Sequence, residues 1–143
     1  MKKLILLAAV SLLAVTSCKK DDEEMISITG TWKLSKNEVK FGNGTNESQT
    51  PNSCEAQTYF DFGNDGKLTS KVYEKVGTTC TSDTYTGTYS YDADKHLLTV
   101  TESGYTNTNE VITLTASELV IQTDIDDFDD DGKNDKVYTY FAR

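Results

Sequence analysis

Short β-prone segments separated by turn residues constrain the fold of this 143-residue chain more than any other feature. The segments are rich in β-branched and aromatic residues, and Gly, Asn, Asp and Ser dominate the connections. Beyond the apolar N-terminal stretch, no part of the chain repeats apolar residues at the helical period of about 3.6, which argues against a helix-rich fold. The sequence therefore predicts an all-β domain with a polar loop over Gly42–Ser53. The predicted strand segments are Thr29–Phe41, Cys54–Phe62, Lys67–Val76, Tyr85–Tyr91, His96–Glu102, Glu110–Thr115, Leu119–Ile125 and Lys136–Ala142.

Eight short strands in succession predict a small up-and-down antiparallel β-barrel. The connection Gly63-Asn64-Asp65-Gly66 is typical of a hairpin, because these residues accept the positive φ angles of tight turns. An open meander would expose two unpaired edges, and closure into a barrel removes them. A barrel of about eight strands encloses only side chains or one small ligand. The residues predicted to face its interior are Trp32, Leu34, Phe60, Phe62, Leu68, Val72, Leu98, Val100, Ile112, Leu114, Leu119, Ile121 and Phe141.

Three stretches of these strands carry a family resemblance. The first, Thr29-Gly30-Thr31-Trp32-Lys33-Leu34, contains a Gly-x-Trp signature. The second covers residues 58–69, Thr-Tyr-Phe-Asp-Phe followed by Gly-Asn-Asp-Gly-Lys-Leu-Thr, and the third covers residues 85–91, Tyr-Thr-Gly-Thr-Tyr-Ser-Tyr. As a set they resemble the small lipocalin-like domains of Bacteroidota lipoproteins. The resemblance implies a lipocalin-like β-barrel over residues 28–143, shorter than a true lipocalin and without an evident C-terminal helix.

The resemblance also implies a role for Gly30 and Trp32. In lipocalins the matching Trp packs across the closed end of the barrel. The physical chemistry agrees, since a lone Trp buries a large area and a Gly two residues earlier lets the chain approach closely. We expect Gly30 and Trp32 to form a plug at one end of the barrel.

The first 17 residues are typical of an export signal. Met1-Lys2-Lys3 is cationic, and the apolar run over residues 4–15 is too short to span a bilayer permanently. The run ends in Val15-Thr16-Ser17-Cys18, which resembles the lipobox of bacterial lipoproteins. That resemblance implies cleavage before Cys18, thioether lipidation of its sulfur and acylation of the new amino group. The alternative is an ordinary secretory signal followed by a coincidental Cys.

A polar tether over residues 18–27 is predicted to join the lipidated Cys18 to the barrel. Its run Lys19-Lys20-Asp21-Asp22-Glu23-Glu24 cannot bury apolar surface and should be solvated. An acidic run directly after the lipidated Cys is similar to the surface-export signal of Bacteroidota lipoproteins. We therefore expect an outer-membrane lipoprotein of the cell envelope, with its outer face as the indicated side.

Cys54 and Cys80 remain once Cys18 is lipidated. An even pair of cysteines in an exported domain predicts a disulfide. The two residues flank the predicted hairpin, which brings its ends close together. We expect this bond to stabilise the domain rather than to act in redox chemistry, because no activating cation is nearby in sequence.

The run Asp127-Phe128-Asp129-Asp130-Asp131-Gly132-Lys133-Asn134-Asp135 has the spacing of a calcium loop. Carboxylates fall at positions 1, 3, 5 and 9, a Gly at 6 makes the sharp turn, and the backbone carbonyl of Lys133 would supply position 7. Position 12 is Tyr138 instead of Glu, so the loop is not an EF-hand. It resembles the Asp-x-Asp-x-Asp-Gly-x-x-Asp loops between strands of extracellular repeats. A solvated acidic turn is the alternative.

Charge and motif content argue against two function classes. The net charge of −9 repels phosphate backbones, which makes nucleic acid an unsuitable partner. The single His, His96, lies at a predicted turn, and the chain lacks a Gly-x-Ser-x-Gly elbow or a phosphate-binding Gly loop. The sequence predicts a protein that is not an enzyme and carries no catalytic cofactor.

Two functions remain open from the sequence. The first is a lipid-anchored binding module whose barrel holds a small apolar or amphipathic molecule, or docks a protein partner at its rim. The second is a structural or interaction subunit of an envelope assembly, with a filled core and no ligand. An apolar void of about 300 Å³ or more would favour the first function.

Overall fold

A computed structural model describes residues 26–143, which fold into nine antiparallel strands and one short 3-10 helix. The export signal, Cys18 and most of the tether lie outside the described residues. Within the described part of the chain, no helix is long and apolar enough to cross a membrane. The strands are β1 (Gly30–Lys40), β2 (Asn46–Gln49), β3 (Tyr59–Phe62), β4 (Lys67–Val76), β5 (Thr79–Asp92), β6 (Leu97–Glu102), β7 (Tyr105–Leu114), β8 (Glu118–Asp126) and β9 (Asp135–Ala142), and the 3-10 helix is Glu55–Gln57.

Eight of the strands close into a barrel, as predicted. Neighbours along the chain pair in order from β3 to β9, and β1 pairs with β3 on one side and β9 on the other. The first residues of β1, Gly30 to Lys33, pair with β3, while Lys33 to Lys40 pair with β9. Closure leaves the eight barrel strands without an open edge between first and last.

The ninth strand, β2, lies where the sequence predicted only loop. Phe41 and Thr45 hydrogen-bond across a turn in which Gly44 has φ +91°, and the chain then pairs with the end of β1. All four side chains of β2 are exposed and polar, so no apolar alternation marks it in the sequence. The prediction of loop was wrong here because main-chain hydrogen bonds alone build the strand.

The hairpin of β4 and β5 is longer than predicted. The sequence placed the second strand at Tyr85–Tyr91, but pairing continues to Val76 opposite Thr79. The added residues of β5 are exposed polar residues, again without an apolar face. Conversely, the predicted strand Cys54–Phe62 begins only at Tyr59, because residues 55–57 form the 3-10 helix.

One apolar core fills the barrel at the end where β1, β4, β6 and β8 begin. Trp32, Leu98 and Leu119 are its most buried members. Ile112, predicted to face inward, is instead 47% exposed. A β-bulge causes the inversion: Val111 pairs with Ile121 and Thr113 with Val120, so Ile112 is the extra residue and Val111 takes the interior position. The buried apolar cluster consists of Ile28, Trp32, Phe62, Leu68, Leu98, Val111, Leu119, Ile121 and Phe141.

Candidate functional site: an apolar chamber and its mouth

Trp32 closes one end of the barrel. Its indole is fully buried, and Nε1 donates a hydrogen bond to the carbonyl of Ile28 at 2.8 Å. The guanidinium of Arg143 lies over the indole, 3.9 Å from the ring centroid, and donates to the carbonyls of Ser27 and Thr29. Indole, cation and N-terminal segment together cover this end of the core.

Gly30 makes room for that arrangement. Its φ is +115°, which L side chains rarely adopt, and a Cβ there would lie 3.4 Å from Nη2 of Arg143. Sequence reasoning singled out Gly30 and Trp32 but missed Arg143. The sequence feature that could have indicated Arg143 is its position directly after the last predicted strand. Antiparallel pairing of that strand with β1 brings Arg143 close to Trp32.

The opposite end of the barrel opens into a mouth of about 380 Å³. It lies where β4 and β6 end and β7 begins, and the tight turn at Ser103-Gly104 forms part of its rim. Both turn residues have positive φ, at +51° and +83°, as a two-residue hairpin turn requires. The mouth is lined by Phe60, Ser70, Val72, Tyr85, Val100, Glu102, Ser103, Tyr105 and Asn107.

A smaller apolar chamber of about 160 Å³ lies below the mouth. Phe60, Val100 and Asn107 line both spaces, so the two are adjacent. Phe60 and Phe141 meet edge to face in the chamber wall, with ring centroids 5.3 Å apart. The remaining chamber walls are Phe62, Leu68, Leu98, Asn109, Ile121, Thr123 and Phe141.

Glu102 is an acidic residue of the mouth that sequence reasoning missed. It follows Leu98 and Val100 at alternate positions of β6, and alternate residues of a strand share a face. The sequence therefore did contain an indication of this residue, because Glu102 continues the inward-facing row formed by Leu98 and Val100. The Oε1 atom of Glu102 is buried and accepts no hydrogen bond from any described residue.

Cys54 and Cys80 form a disulfide, as predicted, with their Cα atoms 5.6 Å apart. Cys54 is buried directly before the 3-10 helix, and Cys80 lies in β5 opposite Lys75. The bond joins the segment that enters β3 to the part of the β4–β5 hairpin that extends past the mouth. It is therefore placed to stabilise the rim on this side.

The predicted calcium loop joins β8 to β9. One carboxylate oxygen from each of Asp127, Asp129 and Asp135 lies within 4.8 Å of the others. Asp135 is fully buried and accepts hydrogen bonds from the backbone N–H groups of Phe128 and Gly42, both at 2.8 Å. This acidic cluster has a size and donor set that could hold a metal ion.

The predicted ligand Asp131 is not part of this carboxylate cluster. Asp131 accepts a hydrogen bond from the backbone N–H of Lys133 at 2.9 Å, so its carboxylate faces the backbone of that residue. Its own N–H donates to Asp127 at 3.0 Å. Partial desolvation raises the pKa of Asp129 above its ordinary value, and the neighbouring carboxylates raise it further. Removal of that charge repulsion is one effect a bound cation would have.

The residues 28–121 match the family model of the lipocalin-like domain. Among solved structures, a lipocalin-like protein from Bacteroides uniformis aligns at 16% identity and TM-score 0.51, over 80% of this chain and 96% of that one. A DUF4847 family protein from Bacteroides vulgatus aligns at 15% identity and TM-score 0.49, over 84% and 95%. A bovine odorant binding protein, as a deswapped triple mutant, aligns at 17% and 0.41, over 80% and 72%. A search of curated protein sequences finds no significant match.

Proposed function

Because this chain belongs to the lipocalin-like domain family, we propose that it is a non-catalytic, lipid-anchored envelope protein whose barrel binds a small apolar or amphipathic molecule. Family members are typically binding proteins. The observation that carries the proposal is the apolar chamber open to a mouth at the end opposite Trp32. The barrel therefore offers an apolar space beside a wide mouth.

The size of the chamber limits what it holds. An apolar cavity of about 150 Å³ binds benzene, so a chamber of about 160 Å³ accommodates one ring or a chain of about six carbons. The mouth, at about 380 Å³, holds the remainder of a longer or polar molecule. The small chamber also favours the second candidate, an envelope subunit with a filled core, since ligand pockets usually exceed about 300 Å³.

Filling the chamber separates these two functions. Benzyl alcohol should bind the purified protein with a dissociation constant in the millimolar range or below, because its ring enters the chamber and its hydroxyl stays in the mouth. Val100→Phe places a ring where the chamber and mouth meet and should weaken binding at least about tenfold. The measurement is a ¹⁵N–¹H NMR titration, with shifts mapped to chamber residues.

Thr99→Phe is the matched control. Thr99 is adjacent on β6, its hydroxyl pairs with that of Thr108 at 2.9 Å, and its side chain lies on the other face of the strand. This variant should bind benzyl alcohol as the parent does. Absence of chamber shifts in the parent, or equal binding by Val100→Phe, would favour the filled-core subunit instead.

The proposed location follows from the N-terminal sequence. The lipobox-like Val15-Thr16-Ser17-Cys18 supports anchoring through acyl chains on Cys18, and the acidic tether supports the outer membrane and its outer face. The barrel begins about ten residues after Cys18, so the ligand-binding domain would stand close to the membrane surface.

The acidic loop is proposed to bind Ca²⁺ as a structural ion. Oxygens that share one Ca²⁺ at 2.3–2.6 Å lie at most about 5 Å apart, and the three carboxylate oxygens of Asp127, Asp129 and Asp135 meet this limit. Asp135 also hydrogen-bonds Gly42 in the connection between β1 and β2. An ion there would fix the β8–β9 connection against β1 without taking part in chemistry.

Calcium is therefore expected to raise the melting temperature by about 5 °C at saturating concentration, relative to EDTA. Asp129→Asn should abolish most of that increase, because it removes one of three clustered carboxylates. Asp130→Asn is the matched control: its backbone has φ +58°, which Asn tolerates, and its carboxylate lies outside the cluster. Equal melting with Ca²⁺ and EDTA in the parent would indicate a solvated acidic turn.

A further inference from the structure

Glu102 carries an uncompensated carboxylate into the mouth of the barrel. Its Oε1 is buried without a hydrogen-bond donor, and none of the ion pairs among residues 26–143 includes it. A buried carboxylate oxygen that has lost its hydrogen bonds to water and gained no donor in the protein costs free energy. A donor that enters the mouth would relieve that cost, since rotation of the carboxylate presents either oxygen.

The surroundings of Glu102 favour a positively charged donor. The side chains that line the mouth, all within the described residues, include no Lys, Arg or His. Two of them are tyrosines with substantial exposure, Tyr85 at 43% and Tyr105 at 78%. Tyr105 lies directly across the Ser103-Gly104 turn from Glu102. Aromatic faces beside a carboxylate attract organic cations and repel anions.

The residue opposite Glu102 contributes no side chain to the mouth. Its partner in β5 is Gly87, which has no side chain to cover the carboxylate. The contact is close: a Cβ at Gly87 would lie 2.2 Å from the carbonyl oxygen of Thr101. Glycine is therefore required at this position, because the backbone of β6 occupies the place that a side chain would take.

We propose that the ligand is an organic cation, an amine with a short apolar tail. This inference rests on the proposed binding function and specifies its ligand class. The tail occupies the chamber lined by Phe60 and Val100, and the ammonium group lies in the mouth, donates to the Glu102 carboxylate and contacts the tyrosine rings. A carboxylic acid with the same tail is disfavoured by the like charge of Glu102.

Three ligands of one shape test this selectivity. Benzylamine, benzyl alcohol and benzoate share a ring and differ in the charge of the polar group. Calorimetric or NMR titration of the purified protein at neutral pH should give the tightest binding for benzylamine, weaker binding for benzyl alcohol and the weakest for benzoate. The amine should bind at least about tenfold more tightly than benzoate.

Glu102→Gln keeps the side-chain shape and should lower benzylamine affinity about tenfold while benzyl alcohol affinity stays within about twofold. Glu110→Gln is the matched control, because Glu110 is an exposed acid outside both spaces and its loss changes the net charge equally. Its binding order should equal that of the parent.

The failures are distinguishable. If benzyl alcohol binds the chamber but the three ligands bind equally, or Glu102→Gln leaves benzylamine affinity unchanged, the cation proposal is wrong and the binding function stands. If none of the three binds, both the cation proposal and the proposed binding function are wrong.

Discussion

Replacing Trp32 with Ala should lower the free energy of unfolding by about 4 kcal/mol, the largest loss expected from any single substitution in the barrel. The indole is fully buried in the central apolar cluster, so its removal loses apolar burial and leaves a cavity. The variant also leaves the carbonyl of Ile28 without its donor and the Arg143 guanidinium without its ring. Small domains have only about 5–15 kcal/mol of stability, so the change should be visible in any unfolding curve.

Urea unfolding followed by circular dichroism measures this effect, since Trp32 fluorescence is absent from the variant. Trp32→Phe separates the contributions, because it keeps an aromatic ring and removes the hydrogen bond to Ile28; a loss of about 2 kcal/mol is expected. Arg143→Ala should cost about 1 kcal/mol, the value of a partly exposed cation–π contact. A loss below 1 kcal/mol for Trp32→Ala would show that this residue does not hold the closed end together.

The closed barrel was predictable because alternation and turn chemistry agree over most of the chain. Leu98 and Val100 alternate with threonines on β6, and the turn before Lys67 has the Asn-Asp-Gly composition that reverses a strand. A strand with one buried face has its register specified by that face. The family resemblance around Gly30 and Trp32 then indicated which end is closed.

The elements that the sequence did not reveal lack a buried face. The strand β2 is built from exposed polar residues, and the first part of β5, before Tyr85, is exposed throughout. Their pairing depends on main-chain hydrogen bonds that any sequence could make. The prediction that Ile112 faces inward was wrong for a different reason. A bulge adds one residue to β7, and apolarity alone could not distinguish Ile112 from Val111.

The candidate site was only partly predictable. The spacing of the acidic loop predicted four carboxylate ligands, and three of them converge, since the Asp131 side chain accepts a hydrogen bond from the N–H of Lys133. Glu102 was overlooked because one acid at the end of an apolar strand reads as a solvated strand end. Its significance depends on closure of the barrel, which turns the end of β6 into the wall of a mouth.

The acidic loop and the mouth lie at the same end of the barrel. β8 ends at the acidic loop, and β4 and β6 end at the mouth, so all three strands run toward that end. The opposite end is sealed by Trp32 and Arg143, and Ser27 and Ile28 lie there, since their carbonyls accept hydrogen bonds from Arg143 and Trp32. An anchored domain of this design would direct its closed end to the membrane and its open end away from it.

That orientation depends on the anchor, and Cys18→Ser is expected to abolish it. Acyl chains contribute about 0.8 kcal/mol per buried CH₂, so several chains hold a protein firmly at a bilayer. Without them, a tether of charged residues does not keep the protein at the membrane. The parent protein should partition into the detergent-rich phase of a Triton X-114 extraction, and Cys18→Ser into the aqueous phase. The mass of the mature parent should exceed that of the polypeptide from residue 18 by its acyl groups.

A variant of the tether separates membrane anchoring from export to the cell surface. Replacing Asp21 and Asp22 with Asn, and Glu23 and Glu24 with Gln, leaves the lipobox-like segment intact and removes the acidic run. This variant should stay in the detergent-rich phase with the same acyl mass, but protease treatment of intact cells should cleave less of it than of the parent. Ligand titrations should be unchanged in both variants, because the barrel strands begin only at Gly30. A secreted parent with an unmodified residue 18 would contradict the anchor, and with it the proposed orientation of the barrel.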